Sequence, residues 1–136
     1  MKAVIIYTDG ACSGNPGPAG IGAVLEYKGR RKEISEYIGE TTNNIAELEA
    51  VKMALLSLKK RNIPVRLHTD SGYVHGLLTK NWEARKNADL VKAVRRIVDQ
   101  FPDILIIKVR GHSGVDGNER ADRLAASAAK SRCNAA

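Results

Sequence analysis

The sequence predicts an α/β fold, a five-stranded mixed sheet flanked by helices on both faces, and three observations predict it. Residues 2–9 (KAVIIYTD) are apolar on both parities, the pattern of a strand covered on two sides. Two alternating segments, 21–27 and 32–39, flank Lys28-Gly29-Arg30-Arg31, which reads as a hairpin with a basic turn. From residue 44 onward helical and strand-like stretches alternate. Strands that follow helices join a sheet by parallel, right-handed crossovers, whereas the first three strands pair antiparallel.

The remaining elements follow in order. Residues 10–20, rich in glycine and proline, read as a loop. Ile45, Leu48, Val51, Leu55 and Leu58 recur at three- and four-residue spacing and predict a helix over 44–61, with Asn44 as its N-cap. Asn62 and Pro64 stop it, and Val65–Thr69 reads as the fourth strand. Short helices are expected at 71–79 and 88–100, a fifth strand at 104–109, and an Ala-rich helix at 118–130. Residues 1–130 are expected to form one domain and 131–136 a disordered tail.

Twenty-two Lys and Arg against 15 Asp and Glu give a net charge of +7. Such an excess favours polyanions through steering and counterion release. Cys12 and Cys133 are unclustered, and residues 1–7 enter a strand-like run instead of a secretory segment. A cytoplasmic monomer without disulfides is therefore expected. No window approaches ~18 consecutive apolar residues, which excludes a spanning helix.

Two strands end alike, Tyr7-Thr8-Asp9-Gly10 and His68-Thr69-Asp70-Ser71. As parallel neighbours they would deliver Asp9 and Asp70 side by side at the carboxyl edge of the sheet, where open α/β sheets bind ligands. The plainer alternative for each is a turn former or helix cap. Glu47 sits where a capping box following Asn44 would put it, yet it also leads a stripe shared with Val51, Ala54 and Leu58 that faces the sheet. Asp122 lies among Ala121, Leu124 and Ala125 at the inner margin of the last helix, although a surface charge pair would equally suit it. Four converging carboxylates repel one another and call for a hard divalent cation. In a basic protein that arrangement suits phosphodiester hydrolysis with two metals about 4 Å apart. Neither clustered thiols nor a Ser–His–Asp elbow offers a soft-metal or covalent alternative.

Five segments then carry a resemblance. Tyr-Thr-Asp-Gly-Ala-Cys-x-Gly-Asn-Pro-Gly-Pro-Ala-Gly at 7–20 resembles the opening motif of the type 1 ribonuclease H (ribonuclease HI) family. Thr41-Thr42-Asn43-Asn44-x-Ala46-Glu47, Thr69-Asp70-Ser71-x-Tyr73-Val74, Val109-x-Gly111-His112-Ser113-Gly114 and Gly117-Asn118-Glu119-x-Ala121-Asp122 follow in the family's order and spacing. The resemblance covers about residues 4–130. It implies a ribonuclease H-like sheet and endonucleolytic hydrolysis of the RNA strand of RNA–DNA hybrids, leaving 3′-hydroxyl and 5′-phosphate ends. The catalytic carboxylates would be Asp9, Glu47, Asp70 and Asp122, holding two Mg²⁺ ions during catalysis, with Mn²⁺ as a substitute and no organic cofactor. His112 would assist catalysis or product release. Asn15, Asn43 and Asn44 would read the minor groove and 2′-hydroxyls, Thr42 and Asn87 would hold a DNA-strand phosphate, and Glu119 would play a secondary part near the site.

Two departures from the family stand out. Gly72 replaces the glutamine of many bacterial members, and only six residues separate Trp82 from Asp89, which leaves no room for their basic protrusion. The stretch 80–100 still carries six basic side chains, Lys80, Arg85, Lys86, Lys92, Arg95 and Arg96, against three acidic ones. The rival readings are another nuclease of the same fold, and a hybrid-binding module without activity. His68 and His75 read as structural or surface residues, and Trp82 as a packing or sugar-stacking residue rather than a cofactor contact.

Overall fold

The computed structural model describes residues 2–80, 82–110 and 116–131. One sheet contains β1 (Val4–Cys12), β2 (Gly17–Tyr27), β3 (Arg30–Thr41), β4 (Val65–Thr69) and β5 (Ile104–Lys108), in the spatial order β3-β2-β1-β4-β5. β1–β2 and β2–β3 pair antiparallel, and β1–β4 and β4–β5 pair parallel, as the order of elements along the chain predicts. The helices are α1 (Asn43–Leu56), α2 (Gly72–Thr79), α3 (Ala88–Val98) and α4 (Asp116–Ser131).

The glycine- and proline-rich stretch is mostly strand, not loop. Pairing continues to Cys12↔Ala19, and only residues 13–16 turn the chain, closed by Ser13 N–H donating to Pro18 O at 2.7 Å. The glycines serve close packing instead of turning. A Cβ on Gly20 would lie 2.4 Å from the Ala129 nitrogen, and one on Gly22 would lie 2.2 Å from the Ala121 oxygen. Helix α4 therefore rests almost backbone to backbone on β2, through the buried Ala121, Ala125, Ala128 and Ala129.

The β2–β3 connection is shorter than the sequence suggests. Tyr27 pairs with Arg30, and Lys28 (φ 49°) and Gly29 (φ 78°) are both left-handed, as a two-residue type I′ hairpin requires. Arg30 and Arg31 belong to β3.

The opposite face of the sheet carries the larger core, in which Val4, Ile6, Leu25 and Leu67 of the sheet meet Leu48, Val51 and Leu55 of α1 and Val91 and Val94 of α3. Helix α1 departs from its predicted span at both ends. Thr42, not Asn44, is the N-cap, its side chain accepting from Ile45 N–H at 3.3 Å. The apolar periodicity runs on to Leu58, but the helix stops at Leu56. There Ser57 Oγ donates to Ala54 O, and the Arg61 guanidinium donates to the carbonyls of Leu55 and Leu58. Side chains thus satisfy the carbonyls that a further turn would have used.

Helices α2 and α3 are joined by a short connection fastened by Arg95, which donates to Leu77 O (3.0 and 2.8 Å) and to Trp82 O (2.7 Å). The Trp82 ring lies against Gly76, where a Cβ would come within 2.3 Å of it. The sheet has two edges. β3 bears Arg30, Arg31, Lys32, Glu33, Glu36 and Glu40, whereas β5 is a five-residue apolar strand with Leu105 53% exposed.

Replacing Gly22 by Ala forces a methyl group into the α4 backbone, and overpacking of this kind costs roughly 1–3 kcal/mol. Urea unfolding of Gly22→Ala is expected to show a lowered midpoint with an unchanged slope. A midpoint equal to the parent's would mean that α4 can lift away freely, contrary to the packing described.

Candidate active site

The pairing of β1 with β4 sets the site. Tyr7 pairs with His68, and their rings stack at 4.7 Å between centroids and 21° between planes. Two residues further along, Asp9 is still within β1, paired with Gly22, and Asp70 directly follows the last residue of β4, so both stand where the parallel pairing of β1 and β4 ends. Asp9, Glu47 and Asp70 each bring a carboxylate oxygen to within 4.8 Å of the others. Asp122, on α4, lies within hydrogen-bonding reach of Asp9. The four acids predicted to converge therefore do so, from β1, α1, the end of β4 and α4. Asp9 is only 5% exposed, and the other three are half-buried.

Glu47 does not close a capping box. Thr42 caps α1, which places Glu47 two residues further in, at the fifth helical position, where its Oε1 accepts the backbone N–H of Gly10. This contact needs glycine, because a Cβ on Gly10 would lie 2.4 Å from the Ala46 carbonyl carbon and 2.5 Å from the Glu47 nitrogen. Glycine here lets α1 touch β1, and the touching delivers Glu47.

Burial pushes the Asp9 carboxyl far above the ordinary carboxylate range, and the charge of Glu47 pushes it further, with Asp70 adding to the effect. Burial also raises Glu47, and the charges of Asp70 and Asp122 add to it, while hydrogen bonds from Asp9 and Gly10 work in the opposite direction. A cluster that resists ionisation in this way gains most from a cation in its midst. The donors on offer are carboxylate oxygens alone, with no His or Cys in the group, and these suit a hard divalent ion.

The predicted nucleic-acid contacts divide into two groups. Asn15 Oδ1 accepts from Asn43 N–H at 3.0 Å, which ties the β1–β2 turn to the start of α1. Asn44 and Asn87 line one cavity of about 310 Å³ together with Tyr73, Ala84, the cationic Arg85 and Lys86, and one carboxylate, Glu83. Asn87 is left-handed (φ 58°) and does not cap α3 with its side chain. Its Nδ2 instead donates to the Tyr73 hydroxyl at 3.2 Å. Thr42 does not line this cavity, and its hydroxyl is used as the α1 cap. Glu119 lies half-buried in the first turn of α4. His112 lies outside the described residues. A Cβ on Gly72 would meet only Lys108 Cε, at an ordinary 3.5 Å, so the backbone here does not require glycine.

Two participants escape sequence reasoning. The Gly10 N–H that holds Glu47 has no side chain to announce it, although a glycine directly after a strand-end aspartate is a usable signal. Tyr73 orients Asn87 across 14 positions of sequence, and no local pattern links them.

The RNase H family model matches residues 1–130. The chain belongs to the ribonuclease H family. A ribonuclease HI of Pseudomonas aeruginosa is 47% identical over 90% of this chain and 90% of its own length. A ribonuclease H of Desulforamulus reducens is 42% identical over 96% of this chain and 89% of its own. Among solved structures, an RNase H1 isolated from compost superposes with a TM-score of 0.85 at 32% identity, covering 98% of this chain and 99% of that one. The same protein has been solved in complex with an RNA/DNA hybrid, with a TM-score of 0.84. This ribonuclease H chain is thus a nuclease, and its acidic cluster together with its family indicates use of a divalent metal. No helix among the described residues is long and apolar enough to cross a membrane.

The raised Asp9 carboxyl has a consequence for stability. Its folded value lies above its unfolded one, so the stability it contributes is fully present in acid, below the unfolded value near 4. That contribution is lost as pH rises toward the folded value. Asp9→Asn removes the titration, so the metal-free variant is expected to melt roughly 5 °C above the parent near neutral pH. The difference should vanish in acid, and Mg²⁺ should raise the melting temperature of the parent but not of the variant. Equal melting curves at neutral pH would refute the account of mutual carboxylate strain.

Proposed function

We propose that this chain is an endoribonuclease that hydrolyses the RNA strand of RNA–DNA hybrids with two Mg²⁺ ions, leaving 3′-hydroxyl and 5′-phosphate ends. The observation that carries the reading is the meeting of Asp9, Glu47 and Asp70 within 4.8 Å, with Asp122 beside Asp9. Divalent ions held by these four carboxylates would supply the charge that activates water and stabilises the leaving oxygen.

The chain's own residues do the rest. Asp9 and Asp70 lie on neighbouring, hydrogen-bonded strands, so the sheet fixes their separation before any substrate arrives. Glu47 is held by Gly10 N–H and hydrogen-bonds Asp9, which keeps its carboxylate within the cluster. Asn43 and Asn44 stand at the start of α1, the helix that carries Glu47, and Asn15 is tied to them from the β1–β2 turn; amides that both donate and accept suit sugar hydroxyls and base edges of a minor groove. The cavity of Asn44, Asn87 and Tyr73, flanked by Arg85 and Lys86, offers amide donors and cations to a phosphate of the DNA strand. Thr42 supports this grip by starting α1 at the right residue. With no room for a basic protrusion between Trp82 and Asp89, the stretch from Lys80 to Arg96 is the cationic flank, and a monomer suffices for this reading.

Four matched substrates test it: a hybrid, duplex RNA, duplex DNA and single-stranded RNA, each with and without Mg²⁺. Cutting is expected for the RNA of the hybrid alone and only with metal. Metal-independent cutting, or equal cutting of duplex RNA, would overturn the proposal.

His112 is proposed to act at the reacting phosphate or in product release, not in holding the duplex. His112→Ala is therefore expected to lower kcat by roughly 10²-fold or more, in the range of general acid–base contributions, with a much smaller change in KM. A large rise in KM at unchanged kcat would reassign it as a binding contact.

A further inference from the structure

Within the basic stretch that runs through α3, Arg95 is turned onto the protein's own backbone instead of outward. From the third turn of α3 its Nε and Nη2 donate to Leu77 O at 3.0 and 2.8 Å, and Nη2 donates to Trp82 O at 2.7 Å. Leu77 O is one of the last four carbonyls of α2, which a helix cannot satisfy from within, and a cation there also meets the negative end of the helix dipole. Arg95 forms no ion pair among the described residues, although Asp99 stands one turn further along. Its charge is met by carbonyls from two separate parts of the chain. The planar fork of a guanidinium suits that task, and the point charge of a lysine does not.

What Arg95 fastens is the stretch that carries the pocket. Residues 82–87 belong to no helix or strand, and Glu83, Arg85 and Lys86 among them line the cavity shared with Asn44 and Asn87. At the near end, the Trp82 ring is seated on Gly76, with Lys80 Nζ 5.8 Å from its centroid, and Trp82 O is held by Arg95. At the far end, Asn87 O accepts Val91 N–H at 2.9 Å, and Asn87 Nδ2 donates to the Tyr73 hydroxyl. A short loop pinned at both ends meets its ligand already shaped. Released at one end, it must be ordered during binding, and that cost is subtracted from affinity.

We propose that Arg95 is a positioning residue for substrate grip: by holding Leu77 and Trp82 it presets the pocket of Asn44, Tyr73 and Asn87 for a phosphate that it does not itself touch. The inference rests on the reading of the chain as a hybrid nuclease and concerns the phosphate pocket of that reading. Arg95 reaches α2 at its last turn, whereas Asp70 precedes the first. There Thr69 Oγ1 accepts Ser71 N–H and Ser71 Oγ accepts Val74 N–H, both at 3.1 Å. The carboxylate cluster is therefore anchored separately, and loss of the Arg95 fork loosens the grip without disturbing the acids.

Trp82 is the only tryptophan of the chain, so its emission reports on the anchor directly. Arg95→Met keeps an apolar stem and removes every donor. In the full chain, acrylamide quenching of Trp82 is expected to rise in this variant. Binding of a fluorescein-labelled RNA–DNA hybrid without metal should weaken roughly tenfold. With Mg²⁺ and saturating hybrid, kcat should stay within about twofold of the parent while KM rises. The plot of log Kd against log salt should shift in parallel, because Arg95 neutralises no phosphate, whereas a lost phosphate contact would flatten the slope by about 0.9. Arg95→Lys keeps the charge but not the fork; its affinity should fall between the two, and it carries the test if Arg95→Met does not fold. A flattened slope would make Arg95 a phosphate contact and overturn the proposal. So would unchanged Trp82 quenching, unchanged affinity, or a fall in kcat at unchanged KM. A parent that neither binds nor cuts hybrid would refute the nuclease reading itself, whereas an active parent matched by its Arg95 variants would refute this inference alone.

Discussion

The parallel register of β1 on β4 is the constraint on which the remainder of the site depends. Tyr7 opposite His68 is what brings Asp9 level with Asp70, and a slip of one residue would turn one of the two carboxylates to the other face of the sheet. The stacked Tyr7 and His68 rings fill the space that fixes this register. The same Tyr7 ring lies against Gly117, where a Cβ would come within 2.3 Å of it, so the register also determines how closely the start of α4 approaches the sheet. Asp122 follows one and a half turns later. A single strand pairing therefore positions carboxylates on three elements. The fourth, Glu47, is placed by the separate contact of α1 with Gly10.

Such convergence works against folding. The chain must bury acids that resist ionisation, and it offsets the cost with a continuous core on the α1 face and an alanine- and glycine-lined contact on the α4 face. The two faces use different physics. Large aliphatic side chains on the first face bury area. Small residues on the second bury little but permit backbone approach, and close approach is what carries Asp122 to Asp9. The exposed pairing of Arg120 with Glu33, at 2.8 Å, adds a clamp between α4 and β3.

Much of this was legible in the sequence, for reasons that can be named. The strand order follows from alternation of elements, and the matched Tyr-Thr-Asp and His-Thr-Asp endings place Asp9 beside Asp70. The glycine-rich stretch misled, because composition does not distinguish a glycine that turns the chain from one that admits a neighbouring helix, and Gly20 is of the second kind. The end of α1 was also hidden. Leu58 keeps the helical spacing and still packs in the core, but Arg61 caps the carbonyls from outside the helix, a tertiary effect that periodicity cannot register. Thr42 outcompeted Asn44 as the cap, a shift of two residues at the N-terminus that is invisible to pattern and decisive for Glu47.

The two open edges of the sheet carry a consequence for how the chain behaves outside its native state. An unpaired strand is a template for pairing with another molecule, and natural sheets blunt their edges with charge or brevity. β3 is long but studded with charge, so intermolecular pairing along it would set like charges together or leave them unsolvated. β5 relies on brevity: five residues, ILIIK, with Leu105 turned outward. Apolar, β-branched and nearly uncharged, this run has the composition of an aggregation nucleus once heat or dilution of the fold loosens its pairing with β4. Self-association of partly unfolded chains is thereby directed to the β5 edge, on the side of the sheet away from the β2–β3 hairpin.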